Sequence, residues 1–192
     1  MSRPGKYIGS PLLFGARVVD PNSAGLSLSR LLELAGIARE RFGMRVQFMD
    51  PGELPDREFV LMAVEKAEEA FARGDNVAND LSLELLRFAS GKRQIQKALD
   101  RLGVKDGARE LLVLLLPWKE SDLKPGQQNA EELRLWLCGK LGLTEDETLP
   151  ERAFARSHIS EADCSGDHRL IILRKERLEA MAVVDIGGRV RD

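Results

Sequence analysis

The sequence predicts an α+β fold, a single-domain two-layer sandwich with a small mixed or antiparallel sheet of four or five strands and several helices. Three observations carry this. Apolar residues recur at helical spacing in six separate segments. The run Leu111 to Leu116 is apolar on both faces, as a central strand requires. No internal repeat and no long linker divides the 192 residues, so 1–192 is expected to form one domain, with flexible tails at 1–10 and 188–192.

The first element is a strand from Leu12 to Val19, apolar and partly β-branched between Pro11 and Asp20-Pro21. Ser27 or Ser29 can cap a helix carrying the stripe Leu28, Leu31, Leu32, Ala35 and Ala38, which Gly43 ends. Arg45 to Met49 alternates polar and apolar residues and stops at Pro51, a half-buried strand. Asp56 caps the next helix, whose core face is Phe59, Val60, Ala63, Val64, Ala67, Ala70 and Phe71, and Gly74 stops it. Asn79 caps a helix through Leu81, Leu85, Leu86 and Phe88 that breaks at Ser90-Gly91. A short helix with Ile95, Ala98, Leu99 and Leu102 follows and stops at Gly103. After the strand at Leu111, a polar, proline-containing loop covers Trp118 to Gln128. An amphipathic helix is expected from Ala130 to Leu141, an acidic loop from Glu145 to Glu151 and a helix from Arg169 to Glu179. The segment Ala180 to Ile186 (AMAVVDI) is expected to close the fold as a last strand.

Composition excludes several classes. Hydrophobic residues make up 43% and charged residues 31%, too apolar for a disordered chain. No apolar run approaches the ~20 residues of a bilayer span. Residues 1–10 hold Arg3 and Lys6 but no apolar core, so no secretory signal is expected. Two cysteines, Cys138 and Cys164, cannot build a disulfide framework, and a cytoplasmic protein is the expectation. The net charge of -2 argues against a general DNA coater, yet it hides an uneven distribution. Arg87, Lys92, Arg93, Lys97, Arg101 and Lys105 are interrupted by the single anion Asp100. Acidic stretches, Glu53 to Asp80 and Lys119 to Glu151, flank this island.

Catalytic chemistry finds little support. His158 and His168 are the only histidines, no Gly-x-Ser-x-Gly elbow occurs, and Cys138 sits in the helical run Leu135-Trp136-Leu137 as a small core residue. His158, Asp163, Cys164 and His168 lack the paired spacing of a structural zinc site, so no metal and no cofactor is expected. Gly91-Lys92-Arg93 is not a phosphate-binding loop. Leu86 stands where the earlier glycine belongs, and Arg93 replaces the Ser/Thr that would hold magnesium.

The basic island is the remaining candidate. A helix opening after Ser90-Gly91 frees backbone N–H groups at its positive end, where Lys92, Arg93 and Gln94 stand, with Lys97 one turn on. This can hold a phosphate, and Gln94 can reach a base edge. Two readings compete with it: a solvated, capped helix face, and a helix-turn-helix DNA-binding regulator using Lys92 to Arg101, whose acidic flanks would repel a duplex.

The segment Val77 to Gly107, VANDLSLELLRFASGKRQIQKALDRLGVKDG, resembles the signature of the TPRKB family, the PRPK-binding subunit of the KEOPS complex. Its core is Ala89-Ser90-Gly91-Lys92-Arg93-Gln94-Ile95, then an amphipathic helix and Gly103-x-Lys105-Asp106-Gly107. Weaker similarity touches Gly15-Ala16-Arg17 and Glu176-Arg177-Leu178 to Ile186. Beside a typical archaeal member the chain looks longer around Ala24 to Gly43 and Ile159 to Asp167. The resemblance implies a non-catalytic subunit that grips the single-stranded 3′ CCA end of tRNA and engages a PRPK-type kinase/ATPase. Through that kinase it would join the other KEOPS subunits in making threonylcarbamoyladenosine. Carried over, Ser90, Gly91, Lys92, Arg93 and Gln94 would cradle the tRNA end, with Lys97 beside them. Lys92 and Arg93 would meet phosphates, the N–H groups near Gly91 would add donors, and Gln94 would meet a base or ribose. A splayed end offers phosphates, 2′-hydroxyls and unstacked bases, which suit a small pocket. For the kinase contact, Ile171 and Arg174 are the expected exposed residues of the closing helix.

Overall fold

A computed structural model describes residues 11–117, 127–158 and 166–188. The tails at 1–10 and 189–192, most of the loop at 118–126, and Asp163 and Cys164 of the histidine-containing loop lie outside the described residues, as does most of the extra length read at Ile159 to Asp167. The elements are β1 (Leu12–Val18), α1 (Leu28–Phe42), β2 (Met44–Met49), a 3₁₀ turn (Pro51–Glu53), α2 (Arg57–Arg73), α3 (Leu81–Ser90) and α4 (Ile95–Leu102). β3 (Glu110–Pro117), α5 (Gln127–Leu141), β4 (Leu143–Glu145), α6 (Leu149–His158) and α7 (Gly166–Gly188) follow. The class is α+β, as expected.

Two compact units partition the chain. One holds Met1–Met49 and Val104–Leu149, the other Asp50–Gly103 and Pro150–Asp192. The polypeptide passes between them three times, so neither unit is a contiguous segment and no linker marks the division in the sequence.

The first unit carries the four-stranded sheet, in the order β2-β3-β1-β4, with every neighbouring pair antiparallel. Phe14 pairs with Val113 and Ala16 with Leu111, which puts Phe14, Ala16, Leu111, Val113 and Leu115 on one face. Against that face pack Leu31, Leu34, Ala38 and Phe42 of α1, with Leu133 and Leu137 of α5, and the Phe42 and Trp136 rings sit 5.5 Å apart. Leu112, Leu114 and Leu116, on the opposite side of β3, are also buried, so the strand is apolar on both faces as its sequence demands. Gly15 has no room for a side chain, since a Cβ there would lie 2.5 Å from the Asp146 carbonyl oxygen and 2.7 Å from Leu149 Cβ.

Cys138 of α5 is half-buried, and that desolvation pushes its thiol above the ordinary value of 9.0. A raised folded-state value favours folding below the unfolded thiol's range and withdraws that contribution as pH climbs through the folded one. In a Cys164→Ser variant, native Cys138 is therefore expected to alkylate more slowly at pH 8 than the same chain in urea. Equal rates would show an unperturbed thiol.

The second unit is helical. Asp56 caps α2 as expected, its carboxylate accepting from the Phe59 N–H at 2.7 Å, and Gly74 closes the helix at φ 76°. The cap of α3 is Asp80 rather than the expected Asn79. Asp80 accepts from Ser82 N–H at 2.8 Å because the helix begins one residue later.

The expected last strand at Ala180 to Ile186 does not form. That segment continues α7, with Met181 and Val184 buried and Ala182 and Val183 exposed, a helical spacing. A stretch of seven residues, apolar but for Asp185, cannot settle its own period, and no Gly or Pro interrupts the chain between Arg169 and Ile186. The fourth strand is instead Leu143–Glu145, pairing with Ala16 to Val18 and ending on the first residue of the segment expected to be an acidic loop. The end of that segment opens α6, whose buried apolar side chains are Leu149, Pro150, Ala153 and Phe154. Four such residues within six positions leave too short a stripe to be seen.

Candidate functional site

The basic turn belongs to the second unit. α3 ends in a Schellman motif: Gly91, at φ 65°, donates its N–H to the Phe88 carbonyl at 3.1 Å, and Lys92 donates to the Arg87 carbonyl at 3.2 Å. Ser90 is buried. Its hydroxyl donates to the Arg87 carbonyl at 3.1 Å and accepts from the Lys92 N–H at 3.2 Å, so its side chain shapes the turn from within. Lys92, Arg93 and Gln94 form the connection itself. α4 begins at Ile95, with Gln94 as its N-cap residue and no capping bond from the Gln94 side chain. The first-turn amides of α4 thus lack the partner that a Ser or Asp cap would supply.

Lys92, Arg93, Gln94 and Lys97 are exposed. Among the described residues, none of the three cations enters an ion pair. The wider island is smaller than its charge count suggests. Arg87 is only 2% exposed and neutralised by Glu84, whose Oε1 accepts from Arg87 Nη2 at 2.6 Å. Arg101 is committed to Glu53, donating from Nε to Oε2 at 2.8 Å, and to the Ser90 carbonyl, donating from Nη1 at 3.0 Å. Lys105 belongs to the other unit. A duplex-reading helix running from Lys92 to Arg101 would therefore lack its last cation.

Several residues that hold this turn escape any local reading of the sequence. Glu53 Oε2 accepts a second bond, from Arg177 Nη2 at 2.7 Å, and His158 Nε2 lies 4.0 Å from Glu53 Oε1. Ala180 of α7 closes over Gly91 so tightly that a Cβ on Gly91 would lie 2.6 Å from the Ala180 Cβ. Glu84 also accepts the N–H groups of Val77 and Ala78, fixing the entry to α3. No spacing rule joins Glu53, Arg101, Arg177 and Ala180, because their meeting is tertiary. The end of the quoted signature is structural too, since Asp106 accepts the Leu28 N–H at 2.7 Å and thereby caps α1.

On α7, Ile171 is 66% exposed, and Ile172 and Val183 are exposed as well. Arg174 is held by the Asp56 carboxylate and, at 3.4 Å, by Glu58 Oε2. The hydrogen bond it donates to Asp56, aided by the charges of Asp56 and Glu58, keeps its guanidinium above the ordinary arginine value against a partial loss of solvent. A cleft of about 690 Å³ surrounds this pair, lined by Asp56, Arg57, Glu58, Leu61, Glu151 and Arg174. Among the described residues no group of His, Cys, Asp and Glu could hold a metal ion, and no helix is long and apolar enough to cross a membrane.

No curated protein gives a significant match to this sequence. The family model for kinase binding protein CGI-121 matches residues 28–149, which run from α1 through the basic turn to the start of α6. Matched over more than half its length, and through the segment that carries the turn, the chain belongs to the CGI-121 family of kinase-binding proteins, the TPRKB family its signature resembles.

Proposed function

We propose that this protein is a non-catalytic, cytoplasmic subunit that recruits the single-stranded 3′ CCA end of tRNA to its kinase partner, within a KEOPS-type assembly that makes threonylcarbamoyladenosine. The observation that supports it best is the turn Gly91–Gln94. Two exposed cations without an ion pair, a polar amide and an uncapped helix start converge there on a backbone that is held in place. Lys92 and Arg93 meet phosphates, the first amides of α4 add donors and Gln94 meets a base or ribose. Lys97 flanks them. Ser90 contributes through the turn that its buried hydroxyl builds rather than by touching the RNA. Few phosphates are needed, so a net charge of -2 is no obstacle.

The test is binding of the purified protein to tRNA with and without its CCA end across a salt series. Binding collapses on removal of the end, and its salt slope is shallow, about 0.7 per phosphate contacted on a single strand. Arg93→Glu weakens binding by at least about tenfold, as loss of a charge-assisted contact does, while the melting temperature stays within a few degrees. A large loss of stability with intact binding would make Arg93 structural. Preference for duplex DNA with a steep slope would favour a helix-turn-helix regulator.

For the kinase, the exposed apolar side of α7 is the proposed contact, with Ile171 as its anchor and Arg174, fixed by Asp56 and Glu58, beside it. Ile171→Glu is expected to abolish co-purification with the kinase without lowering the melting temperature. Undiminished capture would move the interface elsewhere.

A further inference from the structure

The turn that faces solvent is held from below by an acid. Glu53 Oε2 takes Arg101 Nε at 2.8 Å and Arg177 Nη2 at 2.7 Å, and Arg101 Nη1 donates to the Ser90 carbonyl at 3.0 Å. One carboxylate thus links the 3₁₀ turn, α4 and α7, and through Arg101 it reaches the last residue of α3. The Ser90 carbonyl is one of the last in its helix, where the intrahelical ladder supplies no donor. Arg101 supplies that donor, in an orientation that Glu53 fixes, because a guanidinium fork bonded at one end has little freedom at the other.

We propose that Glu53 and Arg101 are positioning residues for RNA-end binding, which preset the Gly91–Gln94 turn rather than touch the nucleic acid. The inference rests on the RNA-end reading of that turn. Simple charge counting gives the opposite expectation. An acid near a phosphate site repels its ligand and neutralises a cation of the island, so its removal should tighten binding. Positioning reverses that sign. Without Glu53 the guanidinium of Arg101 swings free, the Ser90 carbonyl loses its donor, and the amides and cations of the turn spread over conformations that the RNA must then order.

The experiment uses the full-length protein and a tRNA transcript ending in CCA, at one salt concentration, with Glu53→Gln, Arg101→Lys and the contact variant Arg93→Glu. Amide hydrogen exchange is recorded in parallel without RNA. Both positioning variants are expected to raise the Kd about five- to tenfold, and to speed exchange at Gly91 to Gln94 while α2 keeps its protection. Arg101→Lys is decisive where Glu53→Gln lowers the melting temperature, because it keeps the charge and removes only the fork. Tighter binding by Glu53→Gln, or wild-type affinity in Arg101→Lys, overturns the proposal. A wild-type protein indifferent to the CCA end sinks the RNA reading itself. The exchange data then still decide the clamp: faster exchange at the turn supports it, and unchanged exchange overturns it.

Discussion

Glu84→Ala is expected to lower stability by about 3–5 kcal/mol, the cost of breaking a buried ion pair by removing one partner. Glu84 is fully buried. Its Oε2 accepts from Val77 N–H at 3.2 Å, Ala78 N–H at 2.8 Å and Arg87 Nε at 3.2 Å, while Oε1 accepts from Arg87 Nη2. Alanine leaves a guanidinium with no counter-charge away from water, and two backbone donors without their acceptor. Glu84→Gln keeps an acceptor but not the charge and should fall between. Replacing both partners by leucine should recover most of the loss, since two apolar side chains leave no charge stranded. Urea unfolding of the wild type and these three variants measures the three differences. A loss below about 1 kcal/mol for Glu84→Ala, the scale of an exposed pair, would mean that water reaches Arg87.

Gly91→Ala carries the second large effect, about 2–5 kcal/mol. Left-handed backbone costs a residue with a Cβ about 1–2 kcal/mol, and forcing a methyl into filled space costs a further ~1–3 kcal/mol. Gly74 provides the internal control. It ends α2 at φ 76° in the same Schellman arrangement, yet no atom lies within 4 Å of where its Cβ would be. Gly74→Ala should therefore show the backbone cost alone. The difference between the two variants isolates the contact with Ala180, and Ala180→Gly should remove part of it. Equal losses at both glycines would mean that α7 yields to admit the methyl.

What could be read from the sequence was what neighbours in sequence decide. Asp56 three residues before Phe59, and Gly43, Gly74 and Gly91 at their helix ends, mark boundaries because capping is settled within one turn of chain. The turn at Gly91–Gln94 was legible for the same reason. Arg87 was misjudged as part of a surface patch, because nothing within its helix says which side faces water; burial decides that, and burial is tertiary. Ala180 to Ile186 went wrong on a true ambiguity. Its β-branched residues favour a strand in isolation, yet α7 arrives from Arg169 already helical and its buried stripe runs on through Met181 and Val184. Glu53 lies in the acidic stretch that was set against the basic island, and no pattern rule assigns an acid to the support of a cationic turn.

The threefold passage of the chain between its two units decides how this molecule can be dissected. The turn at Gly91 draws on Glu53, on Arg101 and on Ala180, and the last of these is added only after Val104–Leu149 has been made. A peptide spanning α3 and α4 would contain every residue proposed to contact RNA and neither Glu53 nor Ala180. Stopping synthesis at Gly103 would leave the turn half-built. Closing it across such a sequence separation has an entropic cost that must be met before the contacts form. The ability to hold an RNA end should therefore appear late, in a single step, when the final helix has docked within its own unit. No shorter graft of this surface onto another scaffold should keep it.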